Sequence, residues 1–157
     1  MDRPVRLGFV GAGMMGQLAH LANYATLPGV ELVALAEGRT ELAEAVAARY
    51  QVGAVFADHR AMLAEARLDA VVAICPFHLN YGLARAVLEA GLHLATEKPL
   101  CVGRPAAAEL VELAAARGQV YQVSYMKRWD PGVELARRQV AAWRADGEAG
   151  ELLLARV

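Results

Sequence analysis

The sequence is poor in cysteine and lysine and has no long apolar run. Cys75 and Cys101 are its two cysteines, and their spacing fits neither a zinc site nor a disulfide framework. No apolar segment approaches the ~20 residues of a membrane-spanning helix. The N-terminal residues show no signal-peptide core. These absences argue against a metal site, a disulfide-rich secreted domain and a membrane protein, and they predict a cytoplasmic protein.

An excess of charge of one sign is also missing. The chain has 16 basic and 17 acidic residues, for a formal net charge of -1, and no basic run contains interleaved aromatic residues. This balance gives no electrostatic basis for binding nucleic acid. With 57% hydrophobic and 21% charged residues among 157, the composition is that of one ordered globular domain.

A glycine-rich turn follows the first apolar segment. Within Val5–Gly16, a short strand pattern runs into Gly11, Gly13 and Gly16, spaced as G-x-G-x-x-G before a helical pattern. The first glycine permits a tight turn, the second lets a pyrophosphate approach the backbone, and the third lets the helix lie close to the strand. Free N–H groups and the helix dipole favour an anion there. Alone, the pattern is equally compatible with a strand-to-helix turn that binds no ligand.

Strand and helix patterns alternate six times along the chain, with short connections. After the strand that precedes Gly11, apolar runs predict strands over Val30–Ala36, Val52–Ala57, Asp69–Cys75, Leu92–Thr96 and Gln119–Tyr125. Helical spacing predicts helices over Met14–Thr26, Thr40–Tyr50, Asp58–Ala66, Leu79–Ala90, Pro105–Arg117 and Pro131–Ala145. Thr40 and Asp58 are the expected N-caps, and Gly91 and Gly118 the expected residues past helix ends. The alternation predicts a Rossmann-type α/β fold, a doubly wound parallel sheet with helices on both faces.

Chemically unusual residues stand at the ends of four predicted strands. They are the glycine turn, Glu37, the run Cys75-Pro76-Phe77-His78, and the run Glu97-Lys98-Pro99. In a doubly wound sheet, ligands bind outside the carboxyl ends of the strands. Their joint placement therefore favours a dinucleotide site over a glycine turn without a ligand.

Glu37 and Arg39 bear on the choice between NAD and NADP. Glu37 lies about 20 residues beyond the glycine turn, where an acidic residue binds the 2′-hydroxyl of an adenosine ribose. A carboxylate there repels a 2′-phosphate and favours NAD, whereas the nearby Arg39 could pair with that phosphate and favour NADP. Both side chains could also simply be loop residues in contact with solvent.

Lysine is rare enough to be informative. Of the 16 basic residues, only Lys98 and Lys127 are lysines. A lysine can donate or accept a proton, whereas a guanidinium stays protonated. The position of Lys98 at a strand end therefore indicates a catalytic lysine, and a surface lysine paired with Glu97 is the alternative.

The remaining polar residues carry weaker signals. A lone histidine is more often structural than catalytic, so His78 is only a minor candidate for a ligand contact. His20, His59 and His93 rank below it, because none follows a predicted strand. Cys75 is expected to be a small, buried side chain that lines the cleft, without a base to activate it.

Three segments together resemble the N-terminal nucleotide-binding domain of the Gfo/Idh/MocA family of glucose-fructose oxidoreductase and inositol dehydrogenase. They are GFVGAGMMG, Cys75–Leu100 with its EKP motif after Ala90-Gly91, and Gln122–Pro131. The resemblance implies NAD or NADP as cofactor and hydride transfer to or from a secondary alcohol of a sugar or cyclitol. It departs from the family at Cys75-Pro76-Phe77, where Thr-Pro-Asn is common, and at Asn80, where a histidine is common.

The resemblance also implies a role for each site residue. The pyrophosphate would be held by Gly11, Ala12, Gly13, Met14 and Met15. The adenine ribose would be bound by Glu37, and the nicotinamide end would be lined by Pro76, Phe77, Asn80 and Glu97, beside Cys75. Lys98 would face both nicotinamide and substrate, Lys98-Pro99 would be a cis peptide bond, and Lys127 would approach the cofactor.

The chain ends where the family's second domain would begin. Glu151–Val157 has the pattern of a seventh strand, which indicates a piece of a longer protein or, alternatively, an edge or swapped strand. We therefore predict a nucleotide-binding domain over residues 1–150 and the first strand of an α+β domain over 151–157. In the family that second domain supplies most of the substrate pocket, an Asp and His acid/base pair and the homo-oligomer interface. The chain alone is thus expected to bind a dinucleotide with little turnover.

Two other functions remain open from the sequence. One is a non-catalytic dinucleotide sensor or regulatory module that retains the fold. The other is a methyltransferase with an adenosyl cofactor, against which the EKP motif and the G-x-G-x-x-G turn argue.

Overall fold

Six parallel strands form a single sheet in the order β3-β2-β1-β4-β5-β6. A computed structural model describes residues 3–147 and 150–151 and divides the chain into two units, Met1–Ser124 and Tyr125–Val157. The sheet lies in the first unit, and its strands are β1 Val5–Val10, β2 Val30–Ala36, β3 Ala54–Phe56, β4 Ala70–Ala73, β5 His93–Glu97 and β6 Tyr121–Ser124. This architecture confirms the predicted Rossmann-type fold.

Helices connect successive strands. Helix α1 is a π-helical segment, Gly16–Leu21, continued by the α-helical turn Ala22–Tyr24. The other helices of the first unit are α2 Thr40–Tyr50, α3 His59–Glu65, the 3-10 turn Phe77–Leu79 with α4 Asn80–Glu89, and α5 Arg104–Ala116. The second unit contains the 3-10 turn Met126–Trp129 and α6 Pro131–Asp146. Within the described residues, no helix is both long and apolar enough to cross a lipid bilayer.

Two hydrophobic cores lie on opposite faces of the sheet, because successive residues of a strand point in opposite directions. In β4, Val72 belongs to the core that contains Phe9 and Leu21. Its neighbour Val71 belongs to the core that contains Leu88 and the residues of α4 and α5. The strands are therefore covered on both faces, which explains their nearly continuous apolar sequences.

Side chains and glycines define where the helices start and stop. Asp58 Oδ1 accepts hydrogen bonds from the N–H groups of Arg60 and Ala61 at 2.8 and 3.0 Å, so its predicted N-cap role is confirmed. The predicted N-cap role of Thr40 is wrong. Arg39 occupies that position without a side-chain bond to the helix, and Thr40 is already helical. Gly91 and Gly118 adopt positive φ angles of 82° and 64° past the ends of α4 and α5, as expected.

Some boundaries differ from those predicted. The third strand comprises three residues rather than six, and the first helix contains a π-helical segment that the sequence did not indicate. Of the predicted seventh strand, residues 152–157 lie outside the described part of the chain. In the second unit, α6 begins as predicted, because Asp130 Oδ1 accepts the N–H of Gly132 at 2.9 Å.

Leu21 and Leu18 provide a matched test of this packing. Leu21 is 0% exposed and Leu18 is 66% exposed, although both lie in α1. We expect Leu21→Ala to lower the free energy of unfolding by roughly 2–5 kcal/mol, because it leaves a cavity in the core. Leu18→Ala should change it by less than about 0.5 kcal/mol. Urea denaturation followed by circular dichroism measures both, and equal losses would contradict the assigned orientation of the helix.

Candidate functional site

The site is built where the direction of winding reverses between β1 and β4. The chain leaves β1 towards β2 on one side and returns to β4 on the other, so the connections diverge from the carboxyl ends of these strands. Gly11 N–H donates to the carbonyl of Ala36 at 2.9 Å, and Ile74 N–H donates to the carbonyl of Val10 at 2.8 Å. These bonds extend the ladder past the strand ends and hold the glycine turn over the sheet edge.

The three glycines of the turn have different steric environments. Gly11 has a φ of +92°, and a Cβ added to it would overlap the carbonyl oxygen of Ile74. A Cβ on Gly16 would overlap the carbonyl oxygen of Gly11. Gly13, in contrast, would place a Cβ more than 4 Å from other heavy atoms. Gly11 and Gly16 are therefore needed to build the turn, whereas the space beside Gly13 is open.

The turn is held in place from the helix that follows it. Gln17 donates its side-chain amide to the carbonyl of Ala12 at 2.8 Å, and its backbone N–H donates to the carbonyl of Gly13 at 3.0 Å. Ala12 is fully buried, whereas the side chains of Met14 and Met15 are exposed. The two methionines therefore contribute little to the core, contrary to the packing role that is usual for such a pair.

Glu37 lies directly against the glycine turn. Its Oε2 accepts the N–H of Ala12 at 2.9 Å, and its Oε1 accepts the backbone N–H of Arg39 at 3.1 Å. The Arg39 guanidinium also donates to both oxygens, at 2.9 and 3.0 Å. The hydrogen bond from the Arg39 side chain is the largest cause that lowers the pKa of Glu37 from 4.5 to about 2, against the opposing effect of burial. The carboxylate is therefore ionised at neutral pH.

The side chain of Asn80 is hydrogen-bonded to the backbone of the EKP segment. It is only 1% exposed, and its amide nitrogen donates to the carbonyls of Pro99 and Glu97 at 2.7 and 3.3 Å. Its Oδ1 accepts a hydrogen bond from the Cys75 thiol at 3.3 Å. Burial raises the pKa of Cys75, which fits the expected unreactive side chain. Both ends of the Asn80 amide thus have partners within the chain. Its predicted contact with a cofactor stays a prediction.

The EKP segment itself presents its lysine to solvent. Lys98-Pro99 is a cis peptide bond, as the family resemblance implies. Lys98 is exposed, and its backbone N–H donates to Glu97 Oε2 at 3.1 Å. Pro76 and Phe77, which follow β4, are also exposed. The ring of His78 contacts that of Phe77 edge-on, with 6.0 Å between centroids.

His20 makes a contact with Glu97 that the sequence did not predict. Its Nε2 lies 2.9 Å from Glu97 Oε1, and the two side chains are only 14% and 16% exposed. We set His20 aside because it follows no strand, but α1 carries it from the glycine turn to the end of β5. A histidine four residues after Gly16, together with an acidic residue at a strand end, is the signal that could have identified the pair.

Lys127 belongs to the second unit. Its ammonium lies 2.6 Å from Asp130 Oδ2, and its side chain is 75% exposed. The sequence predicts that it approaches the cofactor, and that contact stays a prediction. Among the other predicted site residues, all of which lie in the first unit, hydrogen bonds join Ala12 to Glu37, Cys75 to Asn80, and Asn80 to the EKP segment.

Known proteins resemble this chain over nearly its full length. The family described as "Oxidoreductase family, NAD-binding Rossmann fold" (GFO_IDH_MocA) matches residues 5–125. D-glucoside 3-dehydrogenase of Escherichia coli K12 is 31% identical over 95% of this chain and 41% of its own length. Inositol 2-dehydrogenase 1 of Saccharopolyspora erythraea is 34% identical over 88% of this chain and 42% of its own length.

Solved structures also resemble nearly the whole of this chain while being about twice its length. A 3-ketoreductase from Actinomadura kijaniata in complex with NADP superposes with a TM-score of 0.78 at 29% identity, over 95% of this chain and 46% of that chain. Scyllo-inositol dehydrogenase from Lactobacillus casei, with bound NAD(H) and scyllo-inositol, gives a TM-score of 0.79 at 24% identity, over 95% and 43% respectively. The second likeness shows the fold alone. The chain thus spans less than half the length of these relatives.

The ionised Glu37 makes stability depend on pH. Because its folded pKa of about 2 lies below the usual 4.5, Glu37 stabilises the fold fully above pH 4.5, and the contribution is lost as pH falls towards 2. We expect Glu37→Gln to lower the unfolding free energy by roughly 1–2 kcal/mol at pH 7, a value discounted because Arg39 is exposed. The difference from wild type should shrink between pH 4.5 and 2 in urea denaturation. Glu44→Gln, exposed on α2, is the control, and a difference that persists at pH 2 would contradict the assignment.

Proposed function

The chain belongs to the Gfo/Idh/MocA oxidoreductase family, and on that premise we propose that it is the cofactor-binding half of an NAD(P)-dependent dehydrogenase. The observation that carries the proposal is the open space at Gly13, bordered by the Ala12–Glu37 hydrogen bond. The segment Gly11–Met15 would enclose the pyrophosphate. The N–H groups of Gly13, Met14 and Met15 would donate to it, because those of Gly11 and Ala12 already donate to Ala36 and Glu37. Glu37 would then bind the adenine ribose.

Residues at the ends of β4 and β5 would bind the other half of the cofactor. Pro76 and Phe77 are exposed there, and both carboxylate oxygens of Glu97 are hydrogen-bonded. A bound nicotinamide cofactor supplies the hydride acceptor or donor. The ammonium of Lys98 would orient the reacting hydroxyl of the substrate and exchange a proton with its oxygen. This role uses the one chemical property that lysine has and arginine lacks.

The charge on Glu37 favours NAD over NADP. With a pKa of about 2, its carboxylate is negative at neutral pH and would repel a 2′-phosphate while accepting the 2′-hydroxyl. Arg39 is engaged with the same carboxylate through two hydrogen bonds. To bind a 2′-phosphate, the Arg39 guanidinium would first have to break its hydrogen bonds with Glu37.

The names of the relatives support a proposal for the substrate class. Their names specify a glucoside, inositols and, for the 3-ketoreductase, a keto group. We propose that the complete enzyme oxidises or reduces a secondary alcohol carbon of a sugar or cyclitol, with a further α+β domain that begins in residues 151–157. The contact of Lys127 with the cofactor, a homo-oligomeric assembly and a cytoplasmic location are further parts of this proposal.

Loss of the open space at Gly13 should impair cofactor binding. We expect the chain to bind NADH, and Gly13→Ala to weaken binding about tenfold or more, because a methyl group would occupy the space of the pyrophosphate. Gly82→Ala, in α4, is the matched control, since a Cβ there also has no neighbour within 4 Å. Fluorescence titration with NADH measures all three proteins. If wild type binds neither NADH nor NADPH, or if Gly13→Ala binds as tightly as wild type, the proposal fails.

Neutralising Glu37 should erode the preference for NADH. We expect wild type to bind NADH more tightly than NADPH, and Glu37→Gln to reduce that ratio about tenfold, equivalent to roughly 1.4 kcal/mol. The variant loses the repulsion of the 2′-phosphate but retains a hydrogen-bond acceptor. Parallel titrations with both cofactors provide the two dissociation constants. An unchanged ratio would contradict the role assigned to Glu37.

A further inference from the structure

The hydrogen bond between His20 and Glu97 joins two elements that are far apart in sequence. His20 lies in α1, which follows the glycine turn, and Glu97 is the last residue of β5. Nε2 and Oε1 are 2.9 Å apart, and both side chains are largely shielded from solvent. A charge-assisted bond between groups of low exposure is stronger than a bond on the surface. The pair therefore fixes the end of β5 relative to the glycine turn.

Three hydrogen bonds from different parts of the chain converge on Glu97. Nε2 of His20 is hydrogen-bonded to Oε1, and the backbone N–H of Lys98 donates to Oε2 at 3.1 Å. Asn80 donates to the carbonyl oxygen of Glu97 at 3.3 Å. Both carboxylate oxygens are thus engaged, one by α1 and one by the peptide that carries Lys98. Without His20, Oε1 would lose this partner at a position with little access to water, and the carboxylate would be free to rotate away from the Lys98 N–H.

Contacts on either side of His20 anchor helix α1. The N–H of Ala22 donates to the carbonyl of Gln17, the spacing of a π-helical turn, and Tyr50 donates its hydroxyl to the same carbonyl at 3.1 Å. Leu21, next to His20, is fully buried. Because a π turn has longer-range bonds than an α turn, it changes the direction of the side chains it contains. Such turns are often found at functional sites.

We propose that His20 is a positioning residue for the nicotinamide half of the cofactor site. It fixes the Glu97 carboxylate and, through it, the backbone of Lys98. This inference rests on the proposed function, since it assigns the Glu97–Lys98 end of the cleft to the nicotinamide and its ribose. This role predicts a result that is not expected if the His20–Glu97 contact only stabilises the fold. Removal of the imidazole should weaken the binding of the nicotinamide half and leave the adenosine and pyrophosphate half unchanged.

NADH and ADP separate the two halves in one experiment. ADP contains the adenosine and the pyrophosphate but neither the nicotinamide nor its ribose. We expect His20→Ala to raise the Kd for NADH about five- to tenfold and to change the Kd for ADP less than twofold. His20→Gln, whose amide nitrogen can replace Nε2 as a donor, should restore NADH binding to within about twofold of wild type. Isothermal titration calorimetry at pH 7 provides each Kd.

Two further variants keep the test decisive. His20→Asn retains a polar side chain that is too short to reach Glu97, so it should behave like His20→Ala even if the alanine variant folds poorly. His59→Ala, at the start of α3, is the matched histidine control and should bind both ligands like wild type. Thermal melts establish that each variant is folded.

The outcomes distinguish this inference from the proposed function. If wild type binds NADH and the His20→Ala and His20→Asn variants bind it equally well, the positioning role is wrong and the proposed function stands. If both variants lose NADH and ADP binding in equal proportion, His20 only maintains the fold and the inference is again wrong. If wild type itself does not bind NADH or NADPH, the proposed function fails and the inference fails with it.

Discussion

The close approach of Gly11 to the carbonyl of Ile74 is the constraint on which the site depends. No Cβ fits between them, and the chain can make this approach only with a positive φ at Gly11. The turn is therefore held at the point where winding reverses between β1 and β4. The same approach brings the helix that begins at Gly16 close to the sheet. This geometry gives backbone N–H groups a fixed direction before any ligand is bound.

Hydrogen bonds connect this turn to the rest of the cleft. Glu37 binds the turn from the end of β2, and Asn80 supports the EKP segment from α4. His20 connects the helix after the turn to Glu97 at the end of β5. In these contacts the two residues lie 17 to 77 positions apart in the sequence. The pairing of Glu37 with Arg39 is the local contact, between residues two positions apart. The candidate site is thus assembled by tertiary contacts, and its parts are expected to respond together to substitutions.

The sequence predicted the fold well because both strands and turns have local signatures. Buried parallel strands such as Val30–Ala36 are apolar apart from one residue, Glu31, and a glycine follows the end of helices such as α4. The contacts of the site were harder to predict. His20 reaches Glu97 through a π-helical segment, for which the sequence has no distinctive pattern. Thr40 has the residue type of an N-cap, but the loop before it is ordered by Glu37 instead. The hydrogen bonds of the buried Asn80 to the carbonyls of Glu97 and Pro99 could not be predicted either, because they depend on tertiary packing.

The proposed function requires the glycine turn and the Glu97–Lys98 segment to be two ends of one cofactor cleft. Nuclear magnetic resonance of the 15N-labelled chain tests it directly during titration with NADH. We expect the amide signals of Ala12, Gly13 and Lys98 to shift together and to fit one dissociation constant. Shifts confined to the glycine turn, or different dissociation constants for the two ends, would contradict it.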